Sequence, residues 1–177
     1  MTRDKDVFVP LHQRAAIANR NDADLFISIH CNSFRGVAYG SETYVLGPHR
    51  MADNLEVAKR ENASILLEAD YEKNYDYDPN SAEGHIIMSM YQNAYQEQSL
   101  LLADRIERNG QQAGKLRSRG VKQAGFLVLR ETAMPSVLVE TGYLTHAKDE
   151  RILVSTSGQN SIANSCLLYT SPSPRDS

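Results

Sequence analysis

The sequence has 177 residues, 41% of them apolar and 23% charged, with a formal net charge of −3. That length and mix suit one domain with a real core, and the slight acidic balance leaves no basic surplus for a nucleic-acid backbone. Apolar runs such as Phe126 to Leu129 and Ser136 to Val139 are far too short to cross a bilayer, and the first residues lack the basic-then-apolar pattern of a signal peptide.

Pro10 opens a run from Leu11 to Asn19 with apolar residues at helical spacing, and Asn19-Arg20-Asn21-Asp22 ends it with turn formers. Asp24 to His30 is a short, mostly apolar, β-rich run, which predicts a strand buried on both faces that ends in a histidine. Glu42 to Leu46 reads as a second strand, stopped by Gly47-Pro48. From Met51 to Glu68 the residues Leu55, Ala58, Asn62, Ile65 and Leu66 recur at helical steps, so an amphipathic helix is expected. Tyr71 to Gly84 is polar, with a turn signal at Asp78-Pro79-Asn80-Ser81, and reads as a loop. The acidic stretch Glu68 to Asp78 lacks the glycine and ligand spacing of a calcium loop and reads as a solvated face.

Ile86 to Gly110 predicts one long helix closed by Asn109-Gly110. A β-like pattern resumes at Gly120-Val121, and Phe126 to Leu129 and Val137 to Glu140 predict two further short buried strands. Lys148 to Leu153 starts another helix. Strands alternate with helices, so the class is α/β. The end of the chain, residues 166–177, turns rich in proline and serine from Leu167 onward and is expected to be a non-native or disordered tail.

Two positions carry chemistry in this pattern. His30 and Glu140 each end an apolar strand, where a polar or charged group costs several kcal/mol unless it is paired or bound to a metal. Both types bind zinc and activate water, which points to one polar pocket at the sheet edge. The same pattern fits a satisfied core histidine and a glutamate in a salt bridge, and 110 intervening positions cannot decide between these readings. His12 reads as solvent-exposed on its helix. His49 and His85 lie beside Pro48 and Gly84 in loops with no evident partner, and His146 precedes a helix start. Ser28-Ile29-His30 lacks the glycines of a nucleophile elbow. Cys31 and Cys166 do not make a disulfide framework. Cys31 follows a candidate ligand, yet a small buried residue is the expectation for it.

Three blocks carry a resemblance. Thr2 to Leu11, running on through Arg14 to Asn19, resembles the "TRxxDxxVxLxxRxxxAN" segment of bacterial zinc-dependent N-acetylmuramoyl-L-alanine amidases. Ala23 to Asn32 resembles their "ADLFISIHxN" strand, and Gly120 to Arg130 with Met134 to Tyr143 resembles their closing blocks. The match continues through Asp149-Glu150-Arg151 to Leu153 and covers about residues 1–165, a partial catalytic domain. It implies a mixed, mostly parallel sheet flanked by helices, like that of zinc carboxypeptidases. It also implies a zinc held by two histidines and a glutamate, with a second glutamate as base. Only His30, as a metal ligand, and Glu140, as the catalytic base, carry over. The family's earlier ligands precede the block that here starts at Met1, so a domain incomplete at its N-terminus, and inactive as it stands, is expected.

The implied reaction cleaves the amide between N-acetylmuramic acid and the L-alanine of the stem peptide in peptidoglycan, in the periplasm or outside the cell. Residues 51–109 resemble the regulatory insertion of members that split daughter cells. That likeness implies a helix covering the site until an activator protein withdraws it, with Glu61 as an inhibitory ligand or, equally, as a solvated side chain. A peptidoglycan-binding domain without catalysis remains open. An unrelated zinc carboxypeptidase is disfavoured by the "SIHCN" and "VLVETGY" wording.

Overall fold

A computed structural model describes residues 1–34, 36–48, 51–78, 81–90, 94–112 and 116–167 of the chain. Helix α1 (Leu11–Arg20) begins after Pro10, whose fixed φ suits a helix entry, and it buries Leu11, Ala15 and Ala18 at three- and four-residue steps. Strands β1 (Phe26–Asn32) and β2 (Ser41–Leu46) follow, then α2 (Ala52–Asn62), a 3₁₀ turn (Ala63–Leu67), α3 (Tyr71–Asn74), α4 (Ala82–Met90) and α5 (Gln96–Gln112). The chain continues through β3 (Ser118–Ala124), α6 (Leu127–Arg130), β4 (Ser136–Tyr143), α7 (Ala147–Leu153) and α8 (Thr156–Leu167).

The four strands form one sheet in the order β1-β4-β2-β3. β1 and β4 are parallel: Phe26 N–H donates to the Pro135 carbonyl and Leu144 N–H to the Asn32 carbonyl, so both strands climb together. β2 and β3 are parallel by the same reasoning, from Ser41 to Arg117 and from Gly47 to Ala124. β2 and β4 are antiparallel, with Glu42 opposite Glu140 and Tyr44 opposite Leu138. The expected α/β class with a mixed, mostly parallel sheet is what the molecule has. Every residue of β4 is buried, as befits an inner strand.

The chain divides into two compact units. One comprises residues 1–28, 45–99 and 122–137. Within it, Asn62 determines the path of the Phe126 segment: its Nδ2 donates to the Gly125 carbonyl at 2.7 Å, and its Oδ1 accepts from Leu127 N–H at 2.9 Å. Held on both sides, the chain turns into α6, so the strand expected over Phe126 to Leu129 is instead a helical turn whose apolar residues are all buried. A continuous apolar run of four does not distinguish the two.

The expected loop from Tyr71 to Gly84 contains α3 and the start of α4. Its tyrosines fold inward. Tyr75 hydroxyl donates to Glu68 Oε1 at 2.9 Å and accepts from His12 N–H at 3.0 Å, while Leu11 N–H donates to the same Glu68 oxygen. Glu68 is therefore buried rather than part of a solvated face, and His12, expected in solvent, is half-buried with Nδ1 3.5 Å from Glu68 Oε2. His85 is likewise not a loop residue: it lies in α4, 5% exposed, with Nδ1 2.7 Å from the Tyr77 hydroxyl. The single long helix expected from Ile86 to Gly110 is two helices, parted by a turn at Ala94 and Tyr95. On the predicted stripe of α2 and its 3₁₀ extension, Ala58, Asn62 and Ile65 are buried and Leu66 is exposed.

The other unit comprises residues 29–44, 100–121 and 138–177. Leu102, Ala103, Ile106 and Glu107 of α5 are buried at helical spacing. With α8, this helix covers the sheet face that carries Thr43, Val139 and Thr141. Between them lies a cavity of about 30 Å³ bordered by Ile106, Val139, Ile162 and Cys166. Thr43 Oγ1 donates to Glu107 Oε1 at 2.7 Å and Ser118 Oγ donates to its other oxygen. Burial pushes the Glu107 carboxyl above its ordinary value against these two bonds. Cys166 and Leu167, placed at the start of the expected tail, continue α8, and Cys166 is buried; residues 168–177 and His49 lie outside the described residues.

Asp149, near the start of α7, fastens the ends of this unit. Its Oδ2 accepts from Gly40 N–H at 2.7 Å and Tyr143 N–H at 3.1 Å, and its Oδ1 lies 3.1 Å from His146 Nδ1. Gly40 has φ of +99°, and a Cβ there would stand 2.1 Å from the Arg117 carbonyl oxygen, so only glycine fits. Replacing Asp149 by Ala strands two buried N–H donors, each costing about 1–3 kcal/mol. Denaturant unfolding of Asp149→Ala is expected to show a loss of about 2–4 kcal/mol, against a change under 1 kcal/mol for exposed Glu150→Ala.

Candidate active site on one face of the sheet

The unit made of residues 29–44, 100–121 and 138–177 holds both residues singled out in the sequence. His30 lies on β1 and Glu140 on β4, which are neighbours, and Thr141 Oγ1 donates to the His30 carbonyl at 2.8 Å. Side chains alternate along a strand, so Asn32 shares a face with His30. Asn32 Nδ2 donates to Glu42 Oε1 at 3.0 Å, and Glu42 stands directly opposite Glu140, where paired residues project to the same side. His30, Asn32, Glu42 and Glu140 therefore occupy one face. Cys31 and Thr141 point the other way, with Sγ and Oγ1 3.6 Å apart.

Burial differs along this face. Glu140 is fully buried, Glu42 and Asn32 are 1% exposed, and His30 is half-buried. Cys31, expected to be buried, is exposed: it lies on β1, which ends the strand order, so nothing in the sheet covers it from outside. His146, beside the same strand ends, stacks on the Tyr39 ring with centroids 5.0 Å apart, and Arg117 Nη1 donates to the Tyr39 hydroxyl at 3.0 Å.

Glu42 is the residue that sequence reasoning missed. Its Oε1 accepts from Asn32 Nδ2, from the Tyr44 hydroxyl at 2.9 Å and from the Tyr143 hydroxyl at 3.1 Å, while Arg119 Nε donates to Oε2 at 2.8 Å. Burial, and then the Glu42 charge, raise both tyrosine hydroxyls above the ordinary phenol range, and Glu140 adds to each shift. A partial signal was available: Glu42 is a charged residue at the start of a strand run, although it opens the run where His30 and Glu140 close theirs.

Among the described residues, no group of three or more His, Cys, Asp or Glu side chains is placed to hold a metal. A catalytic zinc takes three protein ligands. This face carries the His30 imidazole and the carboxylates of Glu42 and Glu140, and Glu42 accepts from Asn32, Tyr44, Tyr143 and Arg119. The described residues do not by themselves fit a zinc ion.

The chain as a whole is similar to known proteins. Residues 1–168 match the model of the N-acetylmuramoyl-L-alanine amidase family. The chain is 33% identical over 164 residues to the N-acetylmuramoyl-L-alanine amidase AmiA of Salmonella typhimurium, covering 92% of this chain and 56% of that protein. It is 32% identical over 170 residues to AmiC of Escherichia coli, covering 94% of this chain and 40% of that protein. The solved structure of the amidase AmiC2 of Nostoc punctiforme superposes with a TM-score of 0.62 at 30% identity, over 96% of this chain and 70% of that one. The chain thus spans about half the length of the curated relatives it matches. With the sheet and these matches in agreement, the chain belongs to the N-acetylmuramoyl-L-alanine amidase family.

Proposed function

We propose that the protein hydrolyses the amide joining N-acetylmuramic acid to the L-alanine of the peptidoglycan stem peptide, with Glu140 as the acid–base residue. The observation carrying this reading is the common face of His30 and Glu140 on adjacent parallel strands, beside their C-terminal ends, where open α/β sheets bind ligands. A carboxylate at Glu140 takes the proton of an attacking water and returns it to the leaving alanine nitrogen. If the zinc on which this family's members generally depend is bound, His30 would be one of its ligands, and the ion would make the attacking water more acidic. The substrate places the enzyme in the periplasm or outside the cell, and no described helix is long and apolar enough to cross a membrane.

The donor shortfall favours a second reading for the 177-residue chain: it holds peptidoglycan without cutting it. Residues 51–109 serve as a regulatory insertion answering to an activator protein. Support comes from α4, which exposes Ile86, Ile87 and Met90, an apolar patch of the kind partner proteins cover. Glu61 lies in α2, where Arg60 Nε donates to it at 3.3 Å, and its inhibitory role belongs to the same proposal.

Three outcomes are expected. In the full-length protein, Glu140→Gln lowers turnover on purified peptidoglycan by ~10²–10⁴; unchanged turnover removes Glu140 from the role. The 177-residue chain alone takes up less than one zinc per molecule by elemental analysis and clears no zone on a peptidoglycan zymogram; stoichiometric zinc with clearing contradicts this. Deleting residues 51–109 from the full-length protein raises basal cleavage, and unaltered cleavage by a folded deletion argues for an ordinary surface segment.

A further inference from the structure

We propose that Arg117 and His146, gathered on the Tyr39 ring, form a subsite for a free carboxylate of the stem peptide and the amide N–H beside it, a role that rests on the peptidoglycan reading above.

These side chains meet at the strand ends. Leu144 N–H donates to the Asn32 carbonyl and Phe34 N–H to Thr145 Oγ1, which ties the segments following β1 and β4 together. Ser41 N–H donates to the Arg117 carbonyl and Gly40 N–H to Asp149, so the starts of β2 and β3 come to the same edge. Open α/β sheets bind ligands beyond the carboxyl ends of their strands. Phe34, Tyr39 and Leu144 are all exposed there.

Arg117 is exposed, and its Nη1 donates to the Tyr39 hydroxyl at 3.0 Å, with Cζ 5.3 Å from the centroid of that ring. Among the described residues no carboxylate pairs with it. A phenol thus holds the guanidinium in place and leaves its charge uncompensated. A planar fork of N–H donors fixed in this way fits a carboxylate.

His146 supplies the second group. Its ring stacks on Tyr39 with centroids 5.0 Å apart and planes inclined by 23°. Asp149 is buried, accepts from Gly40 N–H and Tyr143 N–H through Oδ2, and places Oδ1 3.1 Å from His146 Nδ1. A carboxylate so engaged only accepts, so Nδ1 carries a proton. In the neutral imidazole Nε2 is then an acceptor, and among the described residues it has no partner. The His146 side chain is 31% exposed, which leaves Nε2 open to a peptide N–H. One ring therefore brings together a carboxylate receptor and an amide acceptor, the two groups an acidic peptide residue requires.

The experiment uses the full-length protein with two free stem peptides, one carrying the carboxylate and one its amide. Neither contains the scissile bond, so calorimetry reads binding independently of turnover, and thermal unfolding checks folding. The parent is expected to bind the acidic peptide at least about tenfold more tightly than the amidated one. Arg117→Gln is expected to abolish that preference, and His146→Ala to weaken both peptides by about threefold or more. Arg151→Gln, the same charge loss at an exposed position of α7, is expected to keep the parental preference. A parent that binds both peptides alike, a folded Arg117→Gln that keeps the preference, or a folded His146→Ala with parental affinity overturns the subsite. Loss of the preference in Arg151→Gln does so too, since it marks a diffuse charge effect. Cleavage of a muramyl-peptide measured alongside separates the two levels: absent cleavage with the preference intact defeats hydrolysis and retains the subsite, whereas cleavage without the preference defeats the subsite alone.

Discussion

Two carboxylates share one buried rung of the sheet, and the surrounding residues follow from making that arrangement tolerable. Glu42 is neutralised by a guanidinium, an amide and two phenols drawn from four segments of the chain. Two of these segments have further anchors. β1 is pinned to β4 through Thr141 and the His30 carbonyl, and the end of β4 is pinned to α7 through Asp149. The polar cluster and the backbone fastenings together make the strand ends a defined platform.

The two sides of the sheet in this unit solve opposite problems. The side of Thr43, Val139 and Thr141 is closed by α5 and α8, and the buried acid Glu107 there has two hydroxyl donors. Burial dominates there and favours the neutral carboxyl. The side of His30 and Glu140 concentrates polar donors and charge. The same alternation of side chains builds a core on one side and gathers polar groups on the other.

How far the sequence could be read depended on range. α1, β1, β2, β4 and α7 were visible because their apolar spacing is a local property, and His30 and Glu140 stood out as polar residues closing apolar runs. The Phe126 run was misread because its turn is imposed by Asn62, more than sixty positions earlier, and no local pattern records that. Tyr75, Tyr77 and His12 read as surface residues, and His85 as a loop residue without a partner, because polarity alone does not record the partners that burial supplies. Glu42 escaped for the same reason: its four donors converge only once the sheet has formed. The fold class and the two strand-end residues were thus legible, and the network between them was not.

β1 stands at the end of the strand order, and its sequence, Phe-Ile-Ser-Ile-His, carries no lysine, proline or fixed charge to discourage a neighbour. Ile29 is 58% exposed. A margin of this composition favours pairing with a further extended segment. Any segment added there would lie alongside the strand that bears the His30 imidazole.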